Sequence, residues 1–136
     1  MIRITFFLAL SACALLLVAA PASADGKRGV SRCQDQAILK RISDKFAWAE
    51  RNTWHRGFVI DEIVSPNLRY QVNNGPTTIR HDHCTARAIM TDGSVRRIYY
   101  TVERMQGFAS IGDNVQFCIV DLDPWRIHGA ACSTVR

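Results

Sequence analysis

The sequence predicts an α+β domain: one N-terminal helix packed on one face of a curved antiparallel sheet of five or six strands, stapled by two disulfides. Three observations carry this expectation. Helical periodicity spans residues 38–49, the chain from Phe58 onward changes to period-two alternation broken by turn signals, and four cysteines remain once an N-terminal targeting segment is set aside.

The first 24 residues read as a secretory signal, with Arg3 in a short n-region, an apolar run over residues 4–20, and a small-x-small site at Ala22-Ser23-Ala24. As a transmembrane helix the run is marginal in length, and it ends at a cleavage site rather than a basic flank. Leu10-Ser11-Ala12-Cys13 has the look of a lipobox, but the apolar run continues past Cys13 through Val18 and too little of it lies upstream. Cleavage after Ala24 leaves one domain over residues 25–136, a mature chain of 112 residues (136 − 24), and removes Cys13 from an odd total of five cysteines. The four that remain, Cys33, Cys84, Cys118 and Cys132, imply two disulfides in an exported chain. Of three pairings, Cys118–Cys132 is favoured, because residues 115–122 read as a strand and a hairpin centred on Trp125 sets those two cysteines opposite one another. Cys33–Cys84 follows by elimination. In the chain-entropy view the short loop contributes about 3 kcal/mol and the long one about 4 kcal/mol.

Residues 25–30 form a polar leader. Ser31-Arg32-Cys33-Gln34 fits a capping box with Ser31 as N-cap, and Asp35 lies in the first turn, where a negative charge is favourable. Ile38, Leu39, Ile42, Phe46 and Ala49 then share one stripe, predicting a helix to about Arg51. Trp48 lies off the centre of that stripe and is expected to widen the buried face.

Residues 58–64 and 68–72 read as two strands separated by a turn at Ser65-Pro66-Asn67, with a break at Asn73-Asn74-Gly75-Pro76. Residues 77–80 are an extended lead-in to the hairpin of residues 84–104. A two-residue turn in that hairpin places the Cys84/Ala86/Ala88 and Ile98/Tyr100/Val102 sets on opposite faces. A three-residue loop, Thr91-Asp92-Gly93, with Gly93 left-handed, sets Ala86 against Ile98 and Cys84 against Tyr100. Phe108 and Ile111, bracketed by Gly107 and Gly112, are expected to fold back over the edge of the core. The element order resembles cystatin-like and NTF2-like layouts in topology only; no residue motif of those families is present.

Charge bounds the function. Seventeen Lys and Arg against twelve Asp and Glu give +5, or +4 without Arg3, and fourteen of the basic residues are Arg. Guanidinium forks suit carboxylate and phosphate, although an Arg-rich solvated surface accounts for the same count. Nucleic acid is set aside as a target for an exported chain, which leaves an anionic envelope component or another exported protein as partner. No cofactor is implied.

His81-Asp82-His83 puts two imidazoles on one side of an extended segment, but its spacing is poor for structural zinc and Cys84 is committed to a disulfide, so no metal site is assigned. Asp121 and Asp123 read as turn residues rather than paired catalytic carboxylates, and no catalytic residue is assigned. The binding candidates are Trp54 and Arg56 in Trp54-His55-Arg56-Gly57, with Trp125, Arg126 and His128 in Trp125-Arg126-Ile127-His128-Gly129, each stretch an aromatic, basic turn.

The reading is a small exported, periplasmic or secreted, non-enzymatic binding or envelope-associated protein with an anionic ligand as one option. The alternative is a protein inhibitor of an exported hydrolase, though not of a basic lysozyme, which calls for an acidic inhibitor. A small enzyme ranks third. The exported form should begin at Asp25 and be soluble after signal cleavage. Its intact mass checks this, and a diacylated species starting at Cys13 overturns it.

Overall fold

The structure, a computed structural model, describes residues 30–73 and 79–136. The segment read as a signal peptide, and Asn74-Gly75-Pro76 of the expected breaker, lie outside those residues. Helix α1 (Gln36–Ala49) precedes an antiparallel sheet of β1 (Ile60–Val72), β2 (His81–Met90), β3 (Val95–Glu103) and β4 (Asn114–Ile119), ordered β1-β2-β3-β4. The domain is therefore α+β, and among the described residues it has one α-helix, two disulfides and four strands where five or six were expected. The difference arises in β1. Ser65-Pro66 forms a bulge, with Ser65 at φ +53°, and pairing with β2 resumes at Asn67, so one bent strand replaces two.

The helix begins later than its capping-box pattern implies. Asp35 is the N-cap, its carboxylate accepting from the Ala37 N–H at 2.9 Å, while Ser31 Oγ accepts from the Cys33 N–H at 3.1 Å in a turn that precedes the helix. Ile38, Leu39, Ile42 and Phe46 are buried, each such side chain contributing about 1.5–3 kcal/mol, whereas Trp48 is 60 % exposed and does not extend the stripe. Beyond Ala49 the chain widens into a π-helical turn, Glu50–Trp54, and stops at left-handed His55.

The central hairpin has the odd loop. The Met90 N–H donates to the Ser94 carbonyl at 2.9 Å and Gly93 sits at φ +81°, with Cys84 opposite Tyr100 and Ala86 opposite Ile98. Asp92 Oδ1 accepts from the Ser94 N–H at 2.8 Å, and the hydrogen bonds from Ser94 hold its carboxyl below the usual range. The inner face is Cys84, Ala86, Ala88 and Met90 with Ile98, Tyr100 and Val102, in one core with the helix stripe. Strand β2 starts three residues before Cys84, which puts the His81–His83 segment inside the sheet.

Both bridges are those expected. Cys33–Cys84 joins the turn before α1 to β2, and Cys118–Cys132 joins β4 to the closing segment, each with Cα atoms 5.7 Å apart. No hairpin centred on Trp125 produces the second bridge. After Ile119 the chain takes successive turns and reaches Cys132 in a 3-10 turn, Ala130–Cys132. Gly129 at φ +72° permits that approach, since a Cβ there would meet Ser133 Oγ at 2.3 Å.

This packing separates two neighbouring residues. Ala86 is buried beneath α1, and Arg87 is exposed on the opposite face. Ala86→Leu should overpack the contact and cost about 1–3 kcal/mol, while Arg87→Gln should stay within about 0.5 kcal/mol. Urea melts of the two variants decide, and the reverse ordering would invert the assignment of inner and outer faces.

Candidate functional site

The widened turn after α1 exists around a buried carboxylate. Glu50, 4 % exposed, accepts from the Arg56 backbone N–H at 3.1 Å and forms an ion pair with the Arg56 guanidinium at 2.5 Å. That guanidinium also donates to the Leu122 carbonyl and lies 4.5 Å from the centroid of the Trp54 ring. Trp54 is thereby held between Arg56 and the core, its ring 6.1 Å from that of Phe46.

The chain after β4 supplies the other wall. Asp123 accepts from the Ile127 N–H at 3.0 Å and the His128 N–H at 2.8 Å, which folds residues 123–128 into a turn and commits its carboxylate to the backbone. Trp125, 64 % exposed, sets its ring edge-on to Trp54 at 6.4 Å. Between the walls lies a cavity of about 200 Å³ bordered by Phe46, Trp54, Phe117, Leu122, Ile127 and His128. The Trp54 indole N–H is buried without an acceptor among the described residues. Lys45, at the edge of the cavity, donates to the Val115 carbonyl at 2.9 Å; burial and the nearby Arg41 push its amine below the usual lysine range.

Of the five sequence candidates, Trp54, Trp125 and His128 come together here. Arg56 joins them, but with its charge balanced by Glu50. Arg126, left-handed at φ +51°, borders a different hollow of about 290 Å³ together with Asp121 and Ala130. Phe46, Phe117 and Ile127 carry no functional signature in the sequence, and only the folded chain brings them to one cavity. The turn at Glu50 was equally hidden, since its signal is a carboxylate whose partner lies six residues on.

The His81-Asp82-His83 segment resolves into two surfaces. Asp82 is fully buried, accepting from the Arg32 N–H at 2.9 Å, Gln71 Nε2 at 3.0 Å and Arg80 Nε at 3.1 Å. His81 and His83 alternate to the outer face, where His83 stacks on Tyr70 at 4.3 Å. Among the described residues no three His, Cys, Asp or Glu side chains converge as metal ligands, and no helix is long and apolar enough to cross a membrane.

The loop after β3 does not fold back over the core. Phe108 is 95 % and Ile111 78 % exposed. The loop is nevertheless braced: the Gly107 N–H donates to the Gly112 carbonyl at 3.0 Å, and buried Asp113 accepts from the Met105 N–H at 3.0 Å. No protein-family model, curated protein or solved structure matches the chain.

If the Glu50–Arg56 pair holds the widened turn, Glu50→Gln should destabilise the protein by about 1.5–3 kcal/mol and shift the tryptophan emission to the red as Trp54 loosens. Urea melts followed by fluorescence test both effects, and an unchanged midpoint with unchanged emission rules out that role.

Proposed function

We propose that the chain is a small exported, non-enzymatic binding protein whose seat is the aromatic cavity between the end of α1 and the segment after β4. Its ligand is a flat apolar or aromatic group presented by an envelope component or by another exported protein. The observation that carries this reading is the composition of the cavity wall. Its large faces are Phe46, Trp54, Phe117 and Ile127, while Lys45 and Asp123 at its edge are held by backbone partners. Arg56 is neutralised by Glu50, which disfavours an anion at this seat. The buried, unpartnered Trp54 N–H favours a ligand that carries an acceptor.

A second reading, an inhibitor of an exported hydrolase on a cystatin-like layout, is favoured by the projecting loop of residues 106–112. Its tip is apolar and uncharged, and internal hydrogen bonds hold it, so little ordering cost remains on docking into a cleft.

Titration with indole, followed by amide NMR, discriminates between the readings. Shifts should centre on Phe46, Trp54 and Ile127, with millimolar affinity, and should vanish in Ile127→Trp, which fills the cavity. Shifts spread evenly over the surface, or confined to residues 106–112, overturn the first reading. Dose-dependent inhibition of purified exported proteases or glycosidases that is lost in Phe108→Ala establishes the second.

A further inference from the structure

The face of the sheet turned away from α1 carries an arrangement that stability does not explain. Arg87 on β2 and Arg97 on β3 are directly opposite cross-strand partners, both exposed, and no carboxylate pairs with either among the described residues. Like charges in that relation destabilise a sheet. The bond made by this pair is one from Arg87 Nη2 to Ser65 Oγ at 3.2 Å.

The same face continues with cations and rings. Arg69, in the bulge between Leu68 and Tyr70, lies 5.9 Å from the Tyr70 ring and 5.4 Å from the Tyr99 ring. Tyr70, 43 % exposed, stacks on His83 at 4.3 Å, and His81 lies 6.5 Å beyond. Two acids share the face. Glu62 lies on the edge strand opposite Ile89, and Glu103 accepts from the side chains of Asn114 and Gln116. Neither is paired to the arginines.

We propose that this outer face is a second binding surface, distinct from the aromatic cavity, for a polysaccharide bearing carboxylate or sulfate groups. The spacing selects a polymer over a single small anion. Arg87 and His81 are six residues apart on one strand, about 20 Å at the rise of an extended chain, so one small anion cannot reach both ends. Guanidinium forks match carboxylate and sulfate, and the Tyr70 and His83 rings offer flat faces to sugar rings between the charges.

The histidines couple this surface to pH. His83 packs against Tyr70 and Arg69 of β1 and Thr101 of β3, whose Oγ1 lies 3.2 Å from its Nδ1, with His81 and the Asp82 carboxylate as its neighbours on β2. Burial, then His81 and Arg69, hold its imidazole below the usual histidine range, and Asp82 opposes them. A bound anion favours the protonated ring, so protonation and binding reinforce one another and affinity rises as the pH falls below that range.

The test uses the oxidised protein with heparin as the sulfated probe and polygalacturonate as the carboxylated one, measured by calorimetry at several salt concentrations. The Arg87→Gln/Arg97→Gln double variant should weaken binding about tenfold and flatten its salt dependence. His81→Gln/His83→Gln should weaken binding at pH 7.5 by no more than about threefold, through loss of the His83 ring, and should remove the gain at pH 5.5. Trp125→Ala should bind like the unaltered protein, which separates this surface from the cavity. A loss of the same size in Arg51→Gln, an exposed change in the π-helical turn after α1, would mean diffuse attraction by net charge and overturns the proposal. So does tighter binding to single-stranded DNA or to phosphatidylglycerol vesicles at the same salt.

Discussion

The three-residue turn closed by left-handed Gly93 decides which side of the sheet every residue of the central hairpin faces. Because side chains alternate with period two, one residue more or less in that loop reverses one strand relative to the other. With the observed register a row of small residues, Cys84, Ala86 and Ala88, lies beside a row of large ones, Ile98 and Tyr100, and the helix stripe settles over the relief. Burial raises the Tyr100 phenol far above its ordinary range, so it remains a donor, and it spends that proton on the Cys33 carbonyl at 2.6 Å. The same register turns Arg87, Arg97, His81 and His83 outward.

Buried carboxylates then fasten the connections to this hairpin. Among the described residues three acidic side chains are buried, and each ties down a different one. Asp82 takes the Arg32 N–H one residue before the Cys33–Cys84 bridge, so a charge-assisted hydrogen bond and a covalent bond fix the same crossing of chain. Asp113 takes the Met105 N–H and lies within 3.3 Å of Arg32 and 3.6 Å of Arg104, closing the base of the loop that presents Phe108. Glu50 takes the Arg56 N–H and shapes the wall of the aromatic cavity. The outer edge of β4 is tempered in a related way, by Lys45 on the Val115 carbonyl and Arg41 on that of Asp113.

Local signals were legible in the sequence, and relations between distant residues were not. The hairpin loop, the helix stripe and the cysteine pairing rest on spacing, turn chemistry and parity. The Cys118–Cys132 bridge needs no hairpin, because its 14-residue separation is closed by consecutive turns as readily as by a returning strand. Ser65-Pro66-Asn67 carries the composition of a turn, yet pairing with β2 on both sides holds it as a bulge. Trp48 and Phe108 were expected inside because large apolar residues usually are, and both are exposed. For the candidate site the sequence supplied Trp54, Trp125 and His128. It could not show that Glu50 balances Arg56, nor that Arg126 borders another hollow.

The sheet divides the work of the chain between its faces. Its inner face and α1 hold the larger core, while on the outer face Tyr99, Cys118, Cys132 and Val135 pack into a smaller cluster among the described residues. Stability therefore places little demand on the rest of that outer face. A residue that offends the logic of folding there, such as an arginine opposite an arginine, is not offset by a structural gain. The same reasoning applies to Phe108, held almost wholly in water on a braced loop, since a chain under selection for stability alone would favour a polar residue at that tip. Positions that cost stability without a compensating contact within the chain are the ones at which a contact with something outside it is to be sought.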